Sequence, residues 1–459
     1  MNPSRSLPFS LALALFAALP SAATPEDDKK LAESDRVSEL ERKVDLLTDE
    51  LARTKQEMAV PEEKQELQSV WGLGPGASKI YGIARGLSIG GYAEAFYGAV
   101  VADKRRSGEH DRADLARAVL YTGYKFTDHI LFNTEIEFEH ATTEETATTA
   151  NGTTEAEEGG SVSVEFATLD FLIRDEVNAR AGLMLLPVGF LNEVHEPPFY
   201  YGTHRPDVEL SLLPSTWREL GAGIFGRIAD QLSYKLYVVT SMNAVGFEPS
   251  GIREGRQQGS DARAEDLAFA GRLDWEPIPE LLVGASAFIG NTGQDQSFDT
   301  NGDGLDDVKL PSALLTLWEA HSQIRTHGLR VRGLFSMSHL ADAGSLNRDL
   351  LAEGTLPVGE AIAQDTLGGY GEVGYEILQW IAPDSGWTVE PFVRAEYVDT
   401  QYDMPSGFTA DKAQQFQVYT VGVSAKPIPN VVLKLDYRNR QARSGELGDE
   451  VNLGIGVVF

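Results

Sequence analysis

Residues 430–459 read NVVLKLDYRNRQARSGELGDEVNLGIGVVF. Leu433, Leu435 and Tyr437 alternate with Lys434, Asp436, Arg438 and Arg440. Further on, Val451, Leu453, Ile455, Val457 and the terminal Phe459 alternate with residues that include Asn452, Gly454 and Gly456. A strand buried in protein on both faces reads as a continuous apolar run, whereas one that faces lipid outside and water inside alternates at period two. Two neighbouring runs of this kind, the second ending on an aromatic, point to the closing strands of a membrane β-barrel.

The same period extends back to residue 87. Alternation bounded by turn residues marks about sixteen strands, from 88–101 to 450–459, with the tenth and eleventh at 311–322 and 325–339. Tight turns at Thr127-Asp128, Asp175-Glu176, 229–231, 277–279 and 427–430 alternate with long polar connections at 102–111, 142–160, 188–218, 241–265, 291–310 and 341–365. Short-long alternation is the signature of an up-and-down barrel with turns on one side of a membrane and loops on the other. The connection 379–386 is longer than a tight turn and fits least well. Facing follows from parity. Asn133, Glu135, Glu137 and Glu139 oppose Ile130, Phe132, Ile136 and Phe138, and Glu390, Arg394 and Glu396 oppose Val389, Val393 and Tyr397. Charge on the lipid face is costly, so the charged rows are assigned to the lumen.

Upstream of the barrel the pattern is helical. Residues 1–23 read as a secretory signal, with Arg5, an apolar core from Leu7 to Leu19, and Ser21-Ala22-Ala23 at the cleavage site. The core falls short of the roughly 20 residues that a spanning helix needs. Residues 24–60 carry a heptad with Val37, Val44, Leu51 and Met58 at a and Leu40, Leu47 and Thr54 at d, ended by Pro61. A Gly- and Ser-containing linker is assigned to 61–86 and the barrel to 87–459. Zero Cys excludes a disulfide framework and thiolate chemistry, and a net charge of −30 disfavours nucleic acid as a partner.

The connection 188–218 is rich in Pro and aromatics, which favours an ordered loop, and it lies between the fifth and sixth strands. It is assigned as a constriction folded into the pore. Glu193, Glu196, Asp207 and Glu209 supply its acidic side, and Arg180, Arg272, Arg330, Arg332, Arg394, Arg438 and Arg440 the basic wall opposite. Such a pairing sets a transverse field that filters solutes by charge. His195, Glu196 and His204 lack HExxH spacing, because two prolines follow Glu196, and read as structural. Asp299, Asn301, Asp303 and Asp307, with Gly304 at the sixth position, resemble the start of a calcium loop and mark a candidate weak Ca²⁺ site on an external loop. No cofactor is required. No nucleophile elbow and no HExxH motif supports an enzyme.

With barrel, heptad and loop in place, the chain resembles trimeric bacterial porins, particularly the phosphate-selective porin O and P family. The likeness is carried by the heptad from Val37 to Met58, the first strand Ile89-Gly90-Gly91-Tyr92-Ala93-Glu94, the loop 188–218 and Phe459. It implies a homotrimer in the bacterial outer membrane, with its N-terminal segment in the periplasm, passing small hydrophilic solutes. Phosphate selectivity is not carried over, because lumen lysines are few, Lys235 and Lys434 among them. The alternatives are an anion- or phosphate-selective porin and a plugged structural or adhesion barrel. In the porin family a terminal aromatic helps assembly machinery recognise the chain. Deletion of Phe459 is therefore expected to lower the yield of inserted protein while leaving the conductance of inserted molecules unchanged; normal insertion would count against this role.

Overall fold

The computed structural model describes residues 36–50, 67–143, 146–150, 153–157 and 159–459. It divides into the units Met1–Glu66 and Leu67–Phe459. In the first, residues 36–50 form an α-helix on whose surface Val37, Leu40, Val44 and Leu47 are exposed. The later heptad positions Leu51, Thr54 and Met58, Pro61, and the segment 1–23 lie outside the described residues.

The second unit is a closed barrel of sixteen antiparallel strands among the described residues. They are β1 Gly86–Ala102, β2 Arg112–Lys125, β3 Ile130–Glu139, β4 Val162–Arg174, β5 Val177–Leu185, β6 Arg218–Ala229, β7 Leu232–Thr240 and β8 Leu267–Ile278. Then follow β9 Leu281–Asn291, β10 Leu314–Thr326, β11 Leu329–Leu340, β12 Asp365–Tyr375, β13 Thr388–Asp403, β14 Gln415–Ile428, β15 Val431–Ala442 and β16 Asp449–Val458. Each pairs with its sequence neighbours, and β16 returns to β1 with Tyr92 opposite Val458. Phe459 completes the seam: its N–H donates to Gly91 O (2.9 Å) and its carbonyl accepts from Gly91 N (3.0 Å). Gly91 has no room for a side chain there, since a Cβ would lie 2.4 Å from Val119 O and 2.8 Å from the Phe459 ring.

The expected turns at 127–128 and 175–176 join β2 to β3 and β4 to β5. The turn expected at 277–279 falls at 279–280, and another is displaced further. The tenth and eleventh strands were expected to part at 323–324, but pairing runs on to Thr326 opposite Leu329, and the chain reverses at His327 (φ 47°) and Gly328 (φ 80°). Positive φ at both central residues is the type I′ geometry that suits the twist of a hairpin. The polar-apolar alternation of Gln323 and Ile324 simply continues the strand, with Gln323 buried and Ile324 exposed. The connection 376–387 contains a short helix, Leu378–Ile381.

The two faces separate as parity requires. In β15, Leu433, Leu435 and Tyr437 are 39%, 48% and 37% exposed, against 5%, 2% and 5% for Lys434, Asp436 and Arg438. Exposed aromatics gather at both ends of the outer wall: Tyr124, Phe126, Trp275 and Trp387 near the short turns, and Tyr97, Phe138, Trp318 and Tyr419 near the long connections. An apolar band bounded by two aromatic girdles is the surface of a membrane-spanning barrel.

Inside, the barrel is packed. Residues 67–85, within the segment whose composition suggests a linker, enter from the short-turn end with a helix, Pro75–Gly82, laid against β1, β2 and β3. Ile80 and Leu73 are buried, Asn133 Nδ2 donates to Ala77 O (2.9 Å), and Lys125 Nζ donates to Ile83 O (2.8 Å). The lumen wall is also less polar than charged rows alone imply: Tyr237, Phe288, Leu317 and Leu334 turn inward and pack with Leu186, Val188, Leu213 and Trp217 of the folded-in loop. Trp217 lies 4.5 Å from Phe288, centroid to centroid. Fully burying side chains of this size stabilises by roughly 1.5–3 kcal/mol each, which is why this loop folds into the lumen rather than into solvent.

Substituting the outward Leu435→Arg is expected to cost about 2–4 kcal/mol of stability in lipid vesicles. A denaturant titration that finds no change would overturn the assignment of this face to lipid.

Candidate functional site

The segment 186–217 joins β5 to β6 and is closed at its base by one side chain. Asn192 Nδ2 donates to Leu186 O (2.6 Å) and Trp217 O (2.9 Å), while its Oδ1 accepts from Trp217 N (2.6 Å). Prolines shape the rest. Pro197–Phe199 forms a 3₁₀ turn and Pro206 leads into the short helix Asp207–Ser211. Pro fixes φ near −65° and suits the first turn of such helices.

The four carboxylates expected on the acidic side are all engaged. Glu193 pairs with Lys235. Glu196 accepts from Gly76 N (2.8 Å) and Ala77 N (3.4 Å), at the N-terminus of the lumen helix, where orphan amide donors and the helix dipole favour an anion. Asp207 pairs with Arg438 at 2.5 Å. Glu209 accepts from Phe190 N (3.0 Å), Leu191 N (2.6 Å) and Tyr370 Oη (2.6 Å).

Five of the seven wall arginines touch the segment. Besides Arg438 on Asp207, Arg272 donates to Gly189 O, Arg332 to Phe199 O (3.4 Å) and Arg394 to His204 O (3.4 Å), and Arg330 lies over the Tyr201 ring at 5.0 Å. The other two lie elsewhere. Arg180 binds Asp170 (2.7 Å) and Tyr81 Oη (2.9 Å), fastening the 67–85 segment, and Arg440 bridges Glu109 and Glu450, both at 2.8 Å. The charges assigned to a field across the pore are thus largely spent on one another and on holding the segment in place.

Two polar cavities lie on either side of it and share no lining residue. The one at the short-turn end has a volume of about 410 Å³ and is lined by Trp71, Arg227, Lys235, Arg272, Glu276 and Arg325 among others. The other, toward the long connections, has about 270 Å³ and meets Arg112, Arg117, Arg205 and Lys434 against Glu94, Asp114 and Glu139. Arg117 and Arg205 were not singled out in the sequence. Arg117 shares the inward parity of Val119 and Tyr121 in β2 and is recoverable from it. Arg205 follows a turn and carries no periodic signal; its Nε and Nη2 are buried without a hydrogen-bond partner.

The Asp299 loop closes on itself. Asp299 accepts from Gly302 N and Gly304 N, both at 2.7 Å, Asn301 Oδ1 from Asp303 N (2.9 Å), and Asp303 Oδ1 from Leu305 N (2.9 Å). Asp307 accepts from Thr300 N (2.7 Å), and that backbone donor holds its carboxyl below the usual carboxylate range. The stretch Gly86-Leu87-Ser88-Ile89-Gly90 spells G-x-S-x-G, but it runs extended within β1 with Ser88 opposite Gly123, not at the strand-to-helix turn of a nucleophile elbow.

No family model matches the chain. It is 35% identical over 370 residues, 80% of its own length and 78% of the relative's, to an uncharacterized protein of Aquifex aeolicus (strain VF5). The chain belongs to that protein's family. Among solved structures it is similar to OmpTdeltaL8, a loop L8 deletion mutant of an outer membrane protein of Vibrio cholerae (TM-score 0.48, 10% identity, 82% of this chain and 100% of that one). It is also similar to Salmonella typhi OmpF in complex with daunomycin (0.47, 13%, 82% and 98%). A third is the outer membrane channel DcaP of Acinetobacter baumannii (0.42, 12%, 81% and 97%).

Asn192→Ala removes all three side-chain bonds that close the base of the segment. Limited proteolysis read by mass spectrometry is expected to show new cleavages within 186–217 in an otherwise intact barrel; unchanged protection would mean that Asn192 is not the latch.

Proposed function

We propose that the protein is a bacterial outer-membrane channel of the general porin type, in which small hydrophilic solutes diffuse passively past the 186–217 segment. The observation that carries this reading is a polar cavity on each side of that segment, inside a barrel whose outer wall is apolar. A solute entering from the long-connection end meets Arg112, Arg117, Arg205, Lys434, Arg438 and Arg440, matched by the six carboxylates of the two polar cavities there. The passage is therefore less acidic than the net charge of −30 suggests. Selection in such a pore comes from width and from the charges left facing the path. A homotrimer and a periplasmic helical segment at 24–60, exported by the signal 1–23, complete the proposal.

The second reading is a plugged barrel that acts through its external loops. It is favoured by the burial of lumen groups such as Glu135 and Arg394, and by residues 67–85 occupying the short-turn mouth. Conductance separates the two. Purified protein in planar bilayers is expected to give small, steady single-channel steps, with a reversal potential under a salt gradient lying closer to anion preference than the acidic chain implies. No steps from correctly folded protein would replace the channel with the plugged barrel.

A further inference from the structure

Deep in the lumen, three groups from distant parts of the chain converge. Glu135 comes from β3, Glu165 from β4 and His195 from the folded-in segment; all are buried, and one ligand atom from each lies within 4.8 Å of the others. Glu165 reaches this position through an irregularity in its strand. Glu135 pairs with Phe166 and Ile136 with Val164, so Glu165 is the extra residue of a β-bulge, and it and Phe166, consecutive in the strand, both turn inward. Bulges re-aim side chains in this way and are over-represented next to functional sites.

The hydrogen bonds around the cluster do not close. His195 Nδ1 lies 3.1 Å from Asn192 O, a carbonyl that can only accept, so this nitrogen carries the proton. Its Nε2 then faces Glu135 Oε1 at 3.2 Å. In a neutral imidazole so placed, a lone pair meets a carboxylate. Glu135 Oε2 and Glu165 Oε2 are both buried and accept from no donor among the described residues, although Glu165 Oε1 pairs with Arg218 at 2.5 Å. Glu137, beside them on β3 and also buried, has Arg117 at ion-pair distance, 3.4 Å from an Oε1 that itself receives no hydrogen bond among the described residues. Stranded carboxylate oxygens in a water-poor interior are expensive unless a cation sits among them.

We propose that Glu135, Glu165 and His195 form a binding site for a divalent first-row transition cation of the zinc type. Imidazole nitrogen with carboxylate oxygen is a ligand set for such ions, and the Nδ1 bond to a backbone carbonyl is the orienting contact that a metal-binding histidine uses. The 3.2 Å between Nε2 and Oε1 matches the edge of a zinc tetrahedron, about 3.3 Å for ligands near 2.0–2.1 Å from the ion. The imidazole nitrogen argues against calcium, which takes oxygen ligands. The ion clips the folded-in segment to two wall strands, fixing by coordination what Asn192 fixes at the base. The competing solution is a protonated imidazole with a proton shared among the carboxylates.

The test uses the full chain purified from membranes and dialysed against ZnCl₂, then freed of loose metal by a desalting column. Wild-type protein is expected to retain about one zinc per chain by inductively coupled plasma mass spectrometry. X-ray absorption at the zinc edge is expected to show a light-atom shell with an imidazole contribution. Glu165→Gln and His195→Gln, each keeping its side chain's approximate size, are expected to reduce retention at least tenfold, while Asp299→Asn in the exposed acidic loop leaves it unchanged. Retention below a tenth of an equivalent by the wild type overturns the proposal in favour of the shared proton. So does equal retention by wild type and both lumen variants, which would place the metal elsewhere. The wild-type spectrum decides without any variant: a shell lacking imidazole also overturns it.

Discussion

The ladder that joins β16 to β1, from Tyr92 opposite Val458 to Ala102 opposite Asp449, is the contact on which the rest of the structure depends. Within a membrane no water is available to backbone N–H and C=O groups, so an open sheet edge would leave a row of them unpaired at several kcal/mol each. Closure removes the edge. It also separates the chain into an outer surface that must be apolar and an enclosed volume that must be filled, and both consequences are visible in every strand.

Filling that volume is the work of two segments that are not strands. The 67–85 segment enters at the short-turn end and the 186–217 segment at the level of Trp217 and Phe288, and they meet where Glu196 accepts from the lumen helix. The charged rows that parity sends inward would be costly in so tight an interior if left alone. They are therefore paired: Asp207 with Arg438, Glu193 with Lys235, Arg394 with Glu372 and Glu396. Breaking such a buried pair by removing one partner costs about 3–5 kcal/mol, so these contacts hold the segment in one conformation.

The barrel was legible because its signals are local. Period-two alternation, as in 433–440, and tight turns such as Asp175-Glu176 follow from neighbouring residues alone. The shifted reversal at His327 and Gly328 shows the limit, because a polar-apolar run does not announce where it ends. At the site, residue types were legible and their partners were not. Glu196 reads as a constriction acid but meets backbone amides of Gly76 and Ala77, which composition assigns to a linker. His195 reads as structural because the two prolines after Glu196 break the HExxH spacing; its partners Glu135 and Glu165 belong to other strands, and a bulge turns both Glu165 and the adjacent Phe166 inward.

The sequence by itself determined that this chain is a membrane barrel of about sixteen strands with a long ordered connection after the fifth, since face, turn and loop are set by residues close in the chain. Only the tertiary structure decided what fills the lumen, which charges neutralise one another and which three side chains converge where the folded-in segment meets β3 and β4. Those outcomes depend on distances across a closed cylinder, where partners are far apart in sequence and a single extra residue in one strand lets two neighbouring side chains face inward.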